Sequence, residues 1–198
     1  TIGVFYKYFK NPIEAYFNPA SGGASTYNFL NADEANSFGA ELEFRKKLDF
    51  RPALKNFTVQ GNLSYIYNRV SGIGLNESRA MQGQSPYLLN MGIQYDLEKY
   101  GINTTLLFNQ IGRGIAFVGG SDQPPIWENP RPLLDFQIAK KVLKNKGEVK
   151  INISDIINKE AVFYTDLNAN KKYDSNSDAF AIKRKYGTNF SLSFAYNF

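Results

Sequence analysis

From Asn189 to Phe198 the chain alternates without a break. Phe190, Leu192, Phe194, Tyr196 and Phe198 share one parity, and Asn189, Ser191, Ser193, Ala195 and Asn197 share the other. Successive strand side chains point to opposite faces, so a strand here is apolar on one side and polar on the other. A tilted membrane-crossing strand needs about 9–11 residues, and this segment has that length. A chain that finishes this way is constrained to put one face against lipid or a core and the other against water.

The rest of the composition narrows the choices. With 43% hydrophobic and 15% aromatic residues in 198, the chain is too apolar for a disordered protein. No run of about 18 apolar residues occurs, which excludes a membrane-spanning helix but not spanning strands. The absence of cysteine removes disulfides and thiolate metal sites, and the absence of histidine removes the commonest general base. The net charge of +5 is spread along the chain. Its densest groups, Arg45-Lys46-Lys47, Lys140-Lys141 and Lys183-Arg184-Lys185, each end a strand-like run instead of flanking an aromatic platform. Solvated strand ends or lipid headgroup contacts account for them, and nucleic-acid binding is not expected. The chain opens on Thr1 directly in strand-like sequence, so it reads as a piece of a longer polypeptide.

The period-2 pattern recurs about eight times and no helical period competes with it. Phe38, Ala40, Leu42 and Phe44 alternate with Gly39, Glu41, Glu43 and Arg45; Leu89, Met91, Ile93 and Tyr95 alternate with Asn90, Gly92, Gln94 and Asp96. Similar runs occupy 57–67, 103–109, 134–139 and 149–154. The expected class is all-β and antiparallel. Connections alternate in length: short near 49–54, 98–101 and 145–147, long near 11–36, 69–87, 112–132 and 158–186. Transmembrane barrels have short periplasmic turns and long extracellular loops. With Phe198 placed at the periplasmic side, the up-down order runs consistently back to Thr1.

Alternation alone also fits a lipocalin or a sandwich. The large polar groups decide in favour of a membrane barrel: Glu41, Glu43, Asp96, Asp135 and Lys150 would face a lumen, several of them in mid-strand. Tyr65, Tyr67, Tyr95, Tyr196 and Phe198 lie near strand ends, where interfacial aromatic girdles form.

Several strings carry a resemblance. Phe5-Tyr6-Lys7, then Asn11-Pro12-Ile13-Glu14, then Phe38-Gly39-Ala40-Glu41-Leu42-Glu43 resemble the late strands of TonB-dependent outer-membrane receptors. More specific are Gln82-Gly83-Gln84-Ser85-Pro86-Tyr87-Leu88-Leu89-Asn90, Phe108-Asn109-Gln110-Ile111-Gly112-Arg113, and Glu128-Asn129-Pro130-Arg131 leading into Leu134-Asp135. The resemblance covers essentially the whole of 1–198 and leans toward the carboxypeptidase-regulatory-like, glycan-uptake type. It implies about eight C-terminal strands of a barrel of about 22, without the plug domain and the TonB-coupling motif. It further implies energised import of a siderophore, cobalamin, glycan or peptide across the outer membrane of a Gram-negative bacterium. The implied partners are outer-membrane lipid, TonB through the absent N-terminal part, the barrel-assembly machinery and a surface lipoprotein. The rival reading is a complete small eight-stranded barrel that binds a partner, whose interior side chains alone would fill. Gly92, Ala139 and Ser154 are small for that task.

Three candidate sites follow. By the same resemblance, Phe190, Leu192, Phe194, Tyr196 and Phe198 would form the C-terminal assembly signal read by the barrel-assembly machinery through an exposed strand edge. Asp166, Asn168, Asn170 and Asp174, with Asp178 beyond, place oxygen atoms at alternate positions as calcium loops do. Lys171 stands where an EF-hand wants glycine and Ser177 where it wants glutamate, and an Asx-turn loop fits the same residues. Trp127 and Arg131, beside Pro124-Pro125, mark a rigid loop that either contacts ligand or a lipoprotein partner or packs on neighbouring loops. Catalysis has no visible constellation, so no enzyme is expected.

Overall fold

The computed structural model describes residues 1–19, 25–72, 78–120 and 123–198. One antiparallel sheet of eight strands runs in the order β1 (Ile2–Lys10), β4 (Glu34–Lys47), β5 (Phe57–Ser71), β6 (Tyr87–Leu97), β7 (Ile102–Ile111), β10 (Leu133–Val142), β11 (Gly147–Ser154) and β14 (Asn189–Tyr196). A hairpin pairs β2 (Ile13–Pro19) with β3 (Ser25–Asn31). A second sheet joins β8 (Gly114–Phe117), β9 (Ile126–Glu128), β12 (Ala161–Thr165) and β13 (Ala179–Arg184) in the order β13-β12-β9-β8.

Strand register explains why the large sheet forms. Since each strand alternates, only registers that align parities keep apolar with apolar. The pairing does so across the sheet: Ile93 meets Leu106, Leu106 meets Phe136, Phe136 meets Ile153, and Ile153 meets Phe190. On the opposite face Glu43 meets Asn62, Asn62 meets Asn90, and Asn90 meets Asn109. Apolar residues are not absent from that second face (Ile66, Leu88 and Leu107 lie on it), but Glu41, Glu43, Asp96, Asp135 and Lys150 all lie there, while Lys46 and Lys140 take the apolar parity near the short-turn end.

Among the described residues, none covers the apolar face. Val4 is 83% exposed, Phe190 and Leu192 73%, and Phe194 59%. The fully buried hydrophobics, among them Val70, Ile115, Val118 and Tyr164, sit instead where the long connections meet. A soluble sheet would place its core on the apolar face; here that face is left for lipid. Gly61 lets this surface close over the backbone, since a Cβ there would lie 2.6 Å from Phe44 and 2.7 Å from Met91.

All the short connections lie at one end. The turn after β6 is a single 3-10 turn, Glu98–Tyr100, closed by Gly101 at φ 61, where an L side chain would be strained. Both chain ends lie at this end too: the Thr1 amine donates to the Glu43 carbonyl at 2.8 Å, and the Asn197 amide to the Lys146 carbonyl at 2.8 Å. The four long connections share the other end, as the up-down order required.

One expectation needs amendment. The long links were expected to be loops, yet they contain β2, β3, β8, β9, β12 and β13. These pieces are as short as three residues, too short to show a period, and β9 and β12 pair across two different connections. The large sheet stays open: among the described residues β1 and β14 are edge strands with one neighbour each. An edge strand leaves a row of backbone donors and acceptors open to pairing.

Candidate functional site

The face lined with polar groups carries the hydrogen-bonding capacity of the wall. Asn109 donates to Asn90 at 2.5 Å, Gln94 to Asp96 at 3.0 Å, and Asn152 to Ser191 at 3.0 Å. Asn103 also donates to Asp96. Arg45 reaches Gln94 at 3.4 Å, and Lys150 pairs with Glu148 at 3.4 Å. A hollow of about 410 Å³ opens beside Glu43, Arg45, Gln60, Asn62, Asn90 and Asp135. Such a surface keeps water and polar solutes, and it repels hydrocarbon.

At the long-connection end, three ionic clusters tie the loops together. Glu14 on β2 is 4% exposed and receives Arg79 through both oxygens, at 3.1 and 2.5 Å. The Gln82 amide donates to the same carboxylate at 2.9 Å, while the Gln82 side chain accepts from the Ala15 amide and donates to the Ala116 carbonyl, both at 2.6 Å. Tyr16 and Val118 then form a parallel bridge. Three long connections therefore converge on one carboxylate and one carboxamide.

The second cluster centres on Arg113. Its guanidinium donates to Asp166 at 2.6 Å and lies 3.7 Å above the Trp127 ring and 5.4 Å from the Tyr164 ring. Arginine suits this position because its plane stacks on an aromatic face while its edge meets a carboxylate. Burial pushes the Tyr164 hydroxyl above its ordinary pKa, and that oxygen has no hydrogen-bond partner among the described residues. In the third cluster Arg131 pairs with Asp155, donates to the Lys159 carbonyl at 2.7 Å and lies 5.1 Å from the Tyr186 ring. The Asp155 amide in turn donates to Asp135 at 2.8 Å, which fastens this loop base to β10.

The sequence-derived candidates fall into place unevenly. Trp127 and Arg131 share a connection but not a cluster: Trp127 stacks under Arg113 of that same connection and pairs with Tyr164 of the next, and Arg131 donates to the Lys159 carbonyl. Asp166, Asn168, Asn170 and Asp174 do form one compact loop. Asp166 accepts from the amides of Asn170 (3.2 Å) and Lys171 (2.9 Å), Asn168 from that of Asn170 (3.0 Å), and Asn170 from that of Lys172 (2.7 Å). Asp178 accepts from the amides of Leu167 and Asp174 at 3.1 and 2.8 Å. These are Asx turns, with Asp166 further engaged by Arg113. The expected calorimetric result is no heat of calcium binding; a saturable heat abolished by Asp166→Ala would assign the ion instead.

Glu14, Gln82, Arg79, Asp155 and Tyr164 were not singled out as site residues. The signal was nonetheless present. Four of the six strings that carried the resemblance supply a cluster residue: Glu14 in Asn-Pro-Ile-Glu, Gln82 at the head of the Gln-Gly-Gln-Ser-Pro string, Arg113 after Ile-Gly, and Arg131 after Asn-Pro.

Glu128 on β9 gives the loop sheet a pH dependence. Burial raises its carboxyl above the ordinary value. A raised acid binds more protons folded than unfolded, so its contribution weakens as pH rises from the ordinary carboxylate value through the folded one. Glu128→Gln should remove that slope. The measure is the protection factor of the Asn129 amide, bonded to the Val162 carbonyl at 2.9 Å, followed from acid to neutral pH. An unchanged slope in the variant would contradict this.

The fold and these surfaces define a membrane-embedded β-wall with lipid on one side and water on the other. The chain belongs to the outer membrane protein beta-barrel family, whose sequence profile matches residues 1–196. Its place is the outer membrane. In structure it is similar to the outer membrane transporter YddB from Escherichia coli, with 10% identity and a TM-score of 0.54 over 100% of this chain and 30% of that one. It is also similar to a mutant of the ferric enterobactin receptor PfeA from Pseudomonas aeruginosa in complex with enterobactin. There the identity is 17% and the TM-score 0.55, over 98% of this chain and 28% of that one. At such identities the likeness is one of fold, and the chain spans less than a third of either structure. No protein of curated function matches it by sequence.

Proposed function

We propose that this chain is the C-terminal wall of a TonB-dependent importer of the carboxypeptidase-regulatory-like, glycan-uptake type. It would supply lumen surface, extracellular loops and the assembly signal of a barrel of about 22 strands. The observation that carries this reading is the open eight-stranded sheet with a wide polar face and, among the described residues, two unpaired edges. Closing eight strands on themselves would leave the Glu43–Asn62–Asn90–Asn109 row in a narrow interior that side chains must fill. Further strands on β1 and β14 remove both edges and leave a lumen wide enough for a plug and a large nutrient.

Transport is tested in cells bearing the native protein, with labelled ferric siderophores, cobalamin and oligosaccharides offered in turn. Uptake of at least one class should vanish in cells lacking either this protein or TonB. Uptake that persists without TonB would overturn energised import. The small-barrel reading predicts that the 198-residue chain alone refolds into a heat-modifiable barrel; the importer reading expects no such species.

The closing strand carries a further expectation. Phe190, Leu192, Phe194 and Tyr196 share the lipid-side parity of β14, and its second edge has no partner among the described residues. Removing Phe198 from the native protein should lower its assembled, heat-modifiable level in the outer membrane severalfold, with transcript unchanged. Normal assembled levels would remove the signal role.

A further inference from the structure

The wall is interrupted at one point near its upper rim. Pro86 has no N–H, so the β5–β6 ladder ends at the bond from the Ile66 amide to the Pro86 carbonyl, 2.9 Å. On its β6 side, β5 next meets a backbone partner at Val70, which exchanges hydrogen bonds with Arg79. Between these points lies a cleft of about 600 Å³, floored by residues 65–69 of β5 and roofed by Trp127, Arg113 and Lys171 from the loops. Tyr65 and Tyr67 have the lipid-side parity of Leu63, and they are 61% and 40% exposed.

The level of this cleft follows from strand geometry. At about 3.3 Å per residue and a tilt of about 40°, the ten steps from Phe57 to Tyr67 climb about 25 Å, the height of an outer-membrane apolar band. Phe57 and Tyr95, whose rings lie 4.5 Å apart, mark its lower girdle. Arg69 stands one outward position above Tyr67, at headgroup height. It donates to the Tyr67 hydroxyl at 2.9 Å and to the Ser78 carbonyl at 3.1 Å, which leaves guanidinium N–H groups over. Around the cleft three cations, Arg69, Arg113 and Lys171, face one carboxylate, Asp166.

We propose that this cleft binds the phosphorylated headgroup of an outer-leaflet lipid. Arg69 and Lys171 would hold the phosphate, and Tyr65, Tyr67 and Trp127 would pack on the glycerol or sugar and the first acyl carbons. Arg113 keeps the roof in place through Trp127 and Asp166. Cations above an aromatic girdle match an anionic amphiphile in both charge and polarity gradient. The inference rests on the lipid-side assignment of the wall and not on import, so failure of the transport reading leaves it intact.

Trp127 is the one tryptophan of these 198 residues and lines the cleft, so the emission that the native protein has and its Trp127→Phe variant lacks reports occupancy. The native protein is placed in phosphatidylcholine nanodiscs doped with brominated phosphatidic acid. Quenching should saturate at low mole fraction, and brominated phosphatidylcholine should not reproduce it. Arg69→Gln or Lys171→Asn should raise the half-saturating fraction about fivefold each. Lys171 is exposed with φ 64, a conformation asparagine accepts, so that variant folds even if Arg69→Gln does not. Equal quenching by both lipids, or no shift in the Lys171 variant, would overturn the proposal. Displacement of the lipid by inorganic phosphate at constant ionic strength would overturn it in favour of a free-anion site.

Discussion

Glu14→Ala should cost about 3–5 kcal/mol of local stability in the loop layer, among the largest effects expected of any single change here. The variant leaves Arg79, whose side chain is 13% exposed, without its carboxylate, and leaves the Gln82 amide without its acceptor. Both groups then sit desolvated and unpaired, which costs more than the pair was worth. The effect should stay local, since the spanning strands hold each other by their own ladders. Hydrogen exchange at Gln82 and Val118, whose amides bond to Glu14 and the Ala15 carbonyl, should accelerate by roughly two to three decades. Amides in β6 and β7 should keep their protection. A double variant, Glu14→Leu with Arg79→Met, should recover most of the loss, because it removes both charges and keeps the volume. A double variant as exposed as Glu14→Ala would show that the contribution lies in something other than the ion pair.

Leu63→Arg should destabilise the protein in a bilayer by about 2–4 kcal/mol, while Asn62→Arg, one residue away, should change it by about 0.5 kcal/mol or less. Leu63 lies between Leu42 and Leu89 on the lipid side, near the middle of the apolar band. A guanidinium there must be drawn out of hydrocarbon. Asn62 lies between Glu43 and Asn90 on the polar side, where the new charge meets water and a carboxylate. Urea titration of the native protein refolded into vesicles measures both. Similar losses for the two variants, or a larger one at Asn62, would reverse the sidedness of the wall and with it the lipid-cleft assignment.

Much of this protein is local and so legible without coordinates. Parity along β14 and along the strand from Phe38 to Phe44 is a property of neighbouring residues, and it narrows the register because a one-residue slip would turn a strand's whole apolar set to the polar face. The alternation of short and long links set which end each loop occupies, for the same reason: a hairpin needs few residues and an extracellular loop has no such limit. The sequence by itself thus determined the spanning strands, their order, the two faces and the class of membrane protein.

The loop layer was decided by tertiary structure alone. Glu14 and Arg79 lie 65 residues apart, and Arg113 and Asp166 lie 53 apart. No period or spacing links such pairs, since each comes together only when separate strands deliver their loops to one rim. The three-residue β9 exists because β8 and β12 flank it. The cleft above Tyr67 exists because Pro86 ends a ladder beside a strand that continues. Local chemistry fixes what a strand shows to lipid and water; which loops meet above it depends on where eight strands place their ends.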